Sequence, residues 1–456
     1  MTFGSEPVHF VGIGGAGMSA IAKVLIERGV PVSGSDLKQS RTATMLEVMG
    51  AEVHIGHSES HVDGKGVVVV SSAIPATNPE LLAARRNDAR VLTRGEALAE
   101  VLADRKSIVV AGTHGKTSTT SMIVTVLRSA GIDPTYLVGG GLNDVGTNAR
   151  FGRGDLAVAE SDESDGSFLL LKPFVAVVTN VEVDHVDYWH SFDELKAGFA
   201  EFLSRVVPDG AICVPAGDAD LIDMAGATGR SLVTFGGGGG VEAVDVEMGT
   251  SGSRFALTYE GRNEEVSLRV PGDHNVANAL AAAAACLQAG LDIEQVASGL
   301  SAYQGVERRY ELRGTAAGVT VIDDYAHHPS EVRATLAAAR PGPWRRVVAV
   351  FQPHRYSRTA AMAGDFGPAF ADADRIVVTD VYGAGESPVP GVTGKLVADA
   401  ICSAVPGRPV AYLPHRADLV AYLASATHSG DAVLTMGAGD VTSVGEELLA
   451  RLGEGS

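Results

Sequence analysis

The sequence predicts an α/β protein of three domains, each built on a mainly parallel sheet, and three observations predict it. Short apolar runs rich in valine, isoleucine and alanine recur along the chain, separated by stretches of helical periodicity. Two of these runs open into glycine-rich turns that lead into a helix, at Gly12 to Gly17 and at Gly112 to Thr117. The alternation then begins again near Gly314. A chain of 456 residues exceeds one ordinary core, and we divide it at 1–105, 106–313 and 314–456. The first part reads as Rossmann-like, the second as a P-loop-type domain with a mainly parallel sheet, and the third as a second Rossmann-like α/β domain.

In the first part the strand Val8-His9-Phe10-Val11 runs into Gly12-Ile13-Gly14-Gly15-Ala16-Gly17, and the spacing predicts a helix over Met18 to Arg28. A second strand ends at Ser35-Asp36, about 20 residues beyond the glycines, where an acidic side chain takes a ribose hydroxyl in dinucleotide-binding folds. An NAD-dependent dehydrogenase is therefore one reading. The glycines by themselves report a diphosphate site, which any nucleotide conjugate would fill. The strand Val67 to Val70 leads into Ser71-Ser72-Ala73-Ile74-Pro75, at the expected ligand edge of a parallel sheet.

The second part opens with Ile108 to Ala111 and the loop Gly112-Thr113-His114-Gly115-Lys116-Thr117-Ser118. Val110 stands where a full-length phosphate loop has glycine, so this is the shorter form Gly-x-x-Gly-Lys-Thr. Inward-turned N–H groups and the helix dipole suit a triphosphate, Lys116 supplies a point charge, and Thr117 supplies a hydroxyl for magnesium. Strands Leu156 to Ala159 and Val175 to Thr179 end in Glu160-Ser161-Asp162-Glu163-Ser164-Asp165 and Asn180-Val181-Glu182-Val183-Asp184-His185. Parallel strands bring their carboxyl ends together, so both clusters should converge on the loop and offer hard oxygen ligands. Glu182 and Asp184 by themselves read as solvated loop charges. Ala279 to Ala285 reads as a close-packed helix and Gly236 to Gly240 as a surface loop.

In the third part the strands are Val319 to Ile322, Arg346 to Phe351, Arg375 to Val378 and Ala432 to Thr435. Their following loops carry Asp324-Tyr325-Ala326-His327-His328-Pro329 and Pro353-His354-Arg355-Tyr356-Ser357-Arg358. Two arginines three apart beside histidines and a tyrosine form a clamp for a small carboxylate, which a guanidinium grips through parallel hydrogen bonds.

Composition narrows the classes. Apolar residues make up 45% and charged residues 20%, which fits a soluble globular protein. A net charge of -19 argues against a nucleic-acid surface and leaves any anionic substrate to local cations, helix ends and metal. Cys213, Cys286 and Cys402 are far apart and in no metal-ligand spacing, which points to a reducing compartment without disulfides. No leader or spanning segment is expected, so we expect a cytoplasmic protein with no membrane insertion.

These motifs, together with Gly272-Asp273-His274-Asn275 and Arg308-Arg309, resemble the Mur ligases over nearly the whole chain. Those are the ATP-dependent amide-forming enzymes of peptidoglycan precursor synthesis. The resemblance implies that the first domain holds the UDP end of UDP-N-acetylmuramate, at Gly12, Gly14, Gly15, Ala16, Gly17, Asp36, Ser71, Ser72, Ala73 and Ile74. It implies ATP at Gly112, Thr113, His114, Gly115, Lys116, Thr117, Ser118, Asn275, Asn278, Arg309 and Asp324, and Mg2+ at Thr117, Glu160 and His185. L-alanine would meet Tyr325, His327, His354, Arg355 and Arg358. Lys116, His185, His327 and Arg309 are the catalytic candidates, and the route runs through an acyl phosphate. A monomer or weak homodimer is expected, with hinges near Asp104 and Gly314.

Other readings account for less of the chain. A dehydrogenase leaves the phosphate loop and arginine clamp without a task, and a nucleotide switch explains that loop alone. A sister ligase that adds a recycled tripeptide shares the scaffold, but the compact Pro353 to Arg358 cluster suits a small amino acid. Folylpolyglutamate synthetase has a similar ATP loop without the first domain. Lys196 is the nearest lysine after Asp184-His185 that could be carbamylated, as happens in some sister ligases, and we expect it unmodified.

Overall fold

The computed structural model describes residues 3–4, 6–71, 73–184 and 188–454; Ser72 and His185, both named above, lie outside them. The chain forms two compact units, one of Met1–Ala243, Leu257–Glu264 and Asn278–Tyr303, the other of Val244–Ala256, Glu265–Ala277 and Gln304–Ser456. Three sheets run through the chain, as the alternating pattern predicts.

The first sheet has the order Glu52–Ile55, Val32–Asp36, Val8–Val11, Val67–Val70, Arg90–Thr93, all parallel. Val8, Phe10, Val67 and Val69 join one core cluster while Val11 and Val68 join another, so each central strand is covered on both faces. The helix begins at Ala16, two residues before the predicted Met18, and ends at Glu27. Gly15 caps it, and small residues occupy its first turn where the apolar pattern has not yet begun.

The central sheet has ten strands, in the order Arg262–Leu268, Gly252–Tyr259, Val241–Gly249, Ser231–Phe235, Ala211–Pro215, Val175–Val178, Lys106–Ala111, Leu156–Glu160, Thr135–Leu142, Thr147–Arg150. Pairing is parallel from Leu156–Glu160 through Lys106–Ala111 and Val175–Val178 to Ser231–Phe235, which aligns the loop-bearing ends. The apolar cluster that holds Phe10 and Val69 continues through Val109, Ala157, Ala176 and Ile212, so the first unit's two sheets share apolar packing.

The third sheet runs Glu311–Ala316, Val319–Asp324, Asp431–Met436, Arg346–Phe351, Arg375–Val378, Val410–Tyr412, parallel except for its first pair. Val319, Val321, Val348 and Val350 face one cluster; Ile322, Val347, Ala349 and Phe351 face the other. Two strands run longer than their apolar cores predict. Asp323 is buried because the hydroxyls of Thr435 and Thr442 donate to it at 2.6 and 2.7 Å. Asp431 is buried against Arg346, whose Nε donates at 3.0 Å. No helix among the described residues is long and apolar enough to cross a membrane. The three cysteines are unbridged.

Candidate active site

Within the first unit the phosphate loop is held by the segment that follows Val175–Val178. Thr113 N–H donates to the Asn180 carbonyl at 3.1 Å, His114 N–H donates to Asn180 Oδ1 at 2.9 Å, and the Thr179 hydroxyl donates to the His114 carbonyl at 2.5 Å. The strand ends at Val178, one residue before the predicted Thr179, whose N–H still donates to the Ala111 carbonyl at 3.1 Å. Gly115 caps the helix Lys116–Ser129 with φ +78°, and a Cβ there would strike the Asn278 amide. Asn278 is thereby placed against the loop.

Lys116 folds back into the loop. Its Nζ donates to the Gly112 carbonyl at 2.6 Å, to the Thr113 carbonyl at 3.3 Å and to Glu163 Oε2 at 2.9 Å. Burial opposes its charge, but the carboxylates of Glu163, Asp162 and Glu160 outweigh burial and hold its pKa above the ordinary lysine value. Glu163 is 1% exposed. Its position in the predicted acidic run was visible, but nothing in the spacing distinguishes it from its neighbours.

A Cβ at Gly139 would collide with Glu160 Oε1 and lie 3.1 Å from the Thr117 hydroxyl. Carboxylate and hydroxyl thus converge over one side-chain-free position. Two hard oxygen donors at the mouth of a phosphate loop fit Mg2+. Thr117 and Ser118 are both buried at the helix start. The Glu182 side chain is 41% exposed, as a loop charge would be, with its carboxylate 3.5 Å from His114, while its backbone N–H donates to the Thr113 hydroxyl at 2.9 Å. Asp184 is half-buried.

At the first sheet, Gly12 and Ile13 N–H donate to the Ser35 carbonyl at 2.8 and 3.0 Å, Gly14 N–H donates to Asp36 Oδ2 at 2.9 Å, and Gly15 N–H to the Gly12 carbonyl at 3.2 Å. Asp36 therefore braces the glycine loop. Ile74 approaches Gly12 and turns back on Ser71, whose carbonyl accepts its N–H at 3.0 Å and whose hydroxyl accepts from Ala73 N–H at 3.3 Å. Below the loop the Ser35 hydroxyl donates to fully buried Glu80 at 2.6 Å, which also accepts from His57 and His61 at 2.9 and 2.6 Å. Burial works against that carboxylate, yet its His9, Ser35 and His61 hydrogen bonds bring its pKa down to about 2.

In the second unit the Tyr325 ring lies between two guanidinium groups, 4.9 Å from Arg308 and 5.0 Å from Arg309. His327 stands edge-on to Tyr325 and to His354, at 5.3 and 5.5 Å between centroids, and Arg358 Nη1 lies 3.3 Å from His354 Nδ1. Of the two arginines expected to clamp a carboxylate, Arg358 lies beside His354, while Arg355 is paired with Glu386 at 2.9 Å, which in turn accepts from Ser357. His327 Nδ1 lies 2.9 Å from the Tyr325 carbonyl and 3.3 Å from Glu331, so it carries the proton and Nε2 is the basic nitrogen. Glu331 accepts from His328 N–H at 3.2 Å in a capping box, a role the His-Pro-x-Glu spacing encodes, and also from His327 N–H at 2.9 Å. Arg309 lies 3.7 Å from Glu331.

Asp324 accepts from Ala326 N–H at 2.7 Å and Tyr310 N–H at 2.8 Å. Burial nevertheless pushes its carboxyl up to about 6, against the pull of Arg309 and those bonds. Burial also takes the His274 imidazole down to about 4. Asn275 is buried, and its amide donates to the Pro271 carbonyl at 2.8 Å.

Family models match the chain in three consecutive stretches: the Mur ligase family catalytic domain at residues 7–106, the Mur ligase middle domain at 110–286, and the Mur ligase glutamate ligase domain at 308–439. A UDP-N-acetylmuramate–L-alanine ligase of Rubrobacter xylanophilus is 49% identical over 447 residues, 98% of this chain and 100% of the relative. The crystal structure of a UDP-N-acetylmuramate–alanine ligase from Thermotoga maritima superposes with a TM-score of 0.84 at 28% identity, covering 99% of this chain and 100% of that one. A murein peptide ligase from Psychrobacter arcticus gives 0.73 at 25% identity, covering 98% and 99%.

Proposed function

The chain belongs to the Mur ligase family, and on that basis we propose that it joins L-alanine to the muramoyl carboxylate of UDP-N-acetylmuramate, giving UDP-N-acetylmuramoyl-L-alanine, ADP and phosphate. The observation that carries this reading is the end-to-end likeness at 49% identity to a ligase named for those substrates. The geometry supports it with a lysine and two oxygen donors at one loop and a histidine–arginine clamp on the other unit.

A carboxylate is a poor acylating agent, so the muramoyl oxygen first attacks the γ-phosphorus of ATP in line, forming an acyl phosphate and releasing ADP. Lys116 exchanges Glu163 and the loop carbonyls for the outer phosphate oxygens and offsets the charge that builds on them. Thr117 and Glu160 would hold Mg2+, which when bound supplies further positive charge beside those oxygens. Asn275, Asn278, Arg309 and Asp324 take the adenosine and phosphate contacts. The alanine carboxylate lies against Arg355 and Arg358. His327 Nε2 accepts the ammonium proton, the amine attacks the activated carbonyl, and the C–O bond to phosphate breaks as the amide forms, the second amine proton leaving with the phosphate. Domain divisions at 105/106 and 313/314, with hinges near Asp104 and Gly314, allow closure to exclude water from the acyl phosphate.

A nucleotide-sugar substrate and ATP fit the cytoplasm. We propose a monomer or weak homodimer. The reading is tested by phosphate release with UDP-N-acetylmuramate and a panel of L-alanine, glycine, serine and the recycled tripeptide. Strong dependence on alanine is expected; preference for the tripeptide would overturn the assignment of the amine.

A further inference from the structure

Arg94 is the first residue of the helix Arg94–Leu102, placed by a capping box in which Thr93 and Glu96 satisfy each other. Its neighbour Gly95 lets that helix close on the turn Ser167–Leu170, since a Cβ at Gly95 would lie 2.6 Å from Ser167 Cβ. The side chain of Arg94 is thus fixed between two functional segments. On one side it lies over Gly17, the last glycine of the fingerprint, where an added Cβ would sit 3.0 Å from Arg94 Cδ and 3.4 Å from Nη1. On the other, Nη2 donates to Asp165 Oδ2 at 3.0 Å and to the Ser167 hydroxyl at 3.4 Å.

We propose that Arg94 is a diphosphate ligand of the UDP-sugar site, and that Asp165 holds its guanidinium in position until the sugar nucleotide arrives. The inference rests on the ligase reading and adds to it a residue that no motif spacing marks. Gly17 lies in the first turn of the helix Ala16–Glu27, where N–H groups have no intrahelical acceptor and attract anions. A guanidinium over that turn adds a full positive charge and a planar fork that matches phosphate oxygens. Asp165 is a suitable placeholder. The two side chains are 28% and 32% exposed, and a pair so accessible to water contributes little to the fold, so exchanging it for a diphosphate oxygen leaves the fold intact. Asp165 keeps a second partner in the Ser167 N–H at 3.0 Å and does not lose its position when Arg94 turns away.

The test is calorimetric binding of UDP-N-acetylmuramate, UDP, uridine and ATP to the full-length wild type and to R94A, R94K and D165N. R94A should weaken UDP-N-acetylmuramate and UDP by about tenfold or more and leave uridine and ATP unchanged, with R94K between. D165N should tighten the UDP ligands, because it frees the guanidinium without removing it. A pair that merely braced the fold would give R94A and D165N losses of the same sign, and that result overturns the proposal, as does R94A binding UDP like the wild type. A wild type that binds no UDP-N-acetylmuramate would sink the ligase reading and this inference with it; wild-type binding matched by R94A sinks only the role of Arg94.

Discussion

Lys116 and Glu163 form an ion pair at 2.9 Å in which the carboxylate is 1% exposed and the ammonium 16%. The pair holds the Lys116 ammonium inside its own loop. Removing one member leaves the other nearly buried without its counter-charge, a loss of about 3 kcal/mol, at the lower end because Lys116 keeps some solvent. Lys116→Ala should therefore unfold at a clearly lower denaturant midpoint and lose ADP formation by about 100-fold or more, while UDP-sugar binding stays near wild type. K116A/E163Q should recover the midpoint and remain inactive. Denaturation and ADP release on the same preparations check both; a double variant as unstable as the single one would refute the pairing.

Asp324 provides a pH test. Its carboxyl titrates near 6, so the charged form that can accept a ribose hydroxyl dominates above that value. KM for ATP should rise as pH falls through about 6, and Asp324→Asn should flatten that limb in initial-rate profiles. For folding the sign is reversed. The pKa is raised above the 3.8 of an ordinary aspartate, so the folded state binds the extra proton, and this group withdraws about 3 kcal/mol as pH rises through 6.

Much of this was legible in the sequence because the same residues fulfil local and global demands. Valine runs ending in glycine gave the sheets of the first and second parts, and Lys116, Thr117 and Glu160 converge because parallel strands share one functional edge. Buried polar residues were the blind spot. Asp323 and Asp431 extend strands through hydrogen bonds to partners more than 80 positions away, which an apolar count cannot register. The strands Val241–Gly249, Gly252–Tyr259 and Arg262–Leu268 were also unread, because they carry acidic and basic residues on an exposed face. Glu80 and Glu386 were invisible as site residues, and Glu163 could not be told from its acidic neighbours, for a related reason: each gains its role from side chains brought by other elements.

Lys196 is a test by indifference. Carbamylation needs a neutral amine, whereas hydrogen bonds to Asp193 and Asp220, both at 3.4 Å, raise its pKa and keep it an ammonium. Lys196→Arg should hold turnover within about twofold, since an exposed ion pair contributes little, and added bicarbonate should change neither protein. A strong loss in K196R that formate or acetate restores would show that a carbamate is needed after all.

Arg355 combines a cost with a function. Its backbone stands at φ +69° and ψ 137°, a region that side chains avoid, at a strain of about 1–3 kcal/mol. The strained turn starts the helix Tyr356–Ala369 and sets the guanidinium 2.9 Å from Glu386 beside the Arg358–His354 pair. Arg355→Gly removes the strain and an ion pair worth about 0–1 kcal/mol, so the variant should be more stable than the wild type by about 1 kcal/mol. It should also raise KM for L-alanine by about tenfold or more, the loss of one charged hydrogen bond to the carboxylate. Arg355→Ala separates the two effects, because it loses the guanidinium and keeps a Cβ. It should match the glycine variant in KM and gain nothing in stability. Denaturation midpoints and alanine titrations of all three proteins decide the matter: if R355G and R355A are equally stable, the backbone is not strained, and if both retain the wild-type KM, Arg355 is a brace for Glu386 with no part in binding the amino acid.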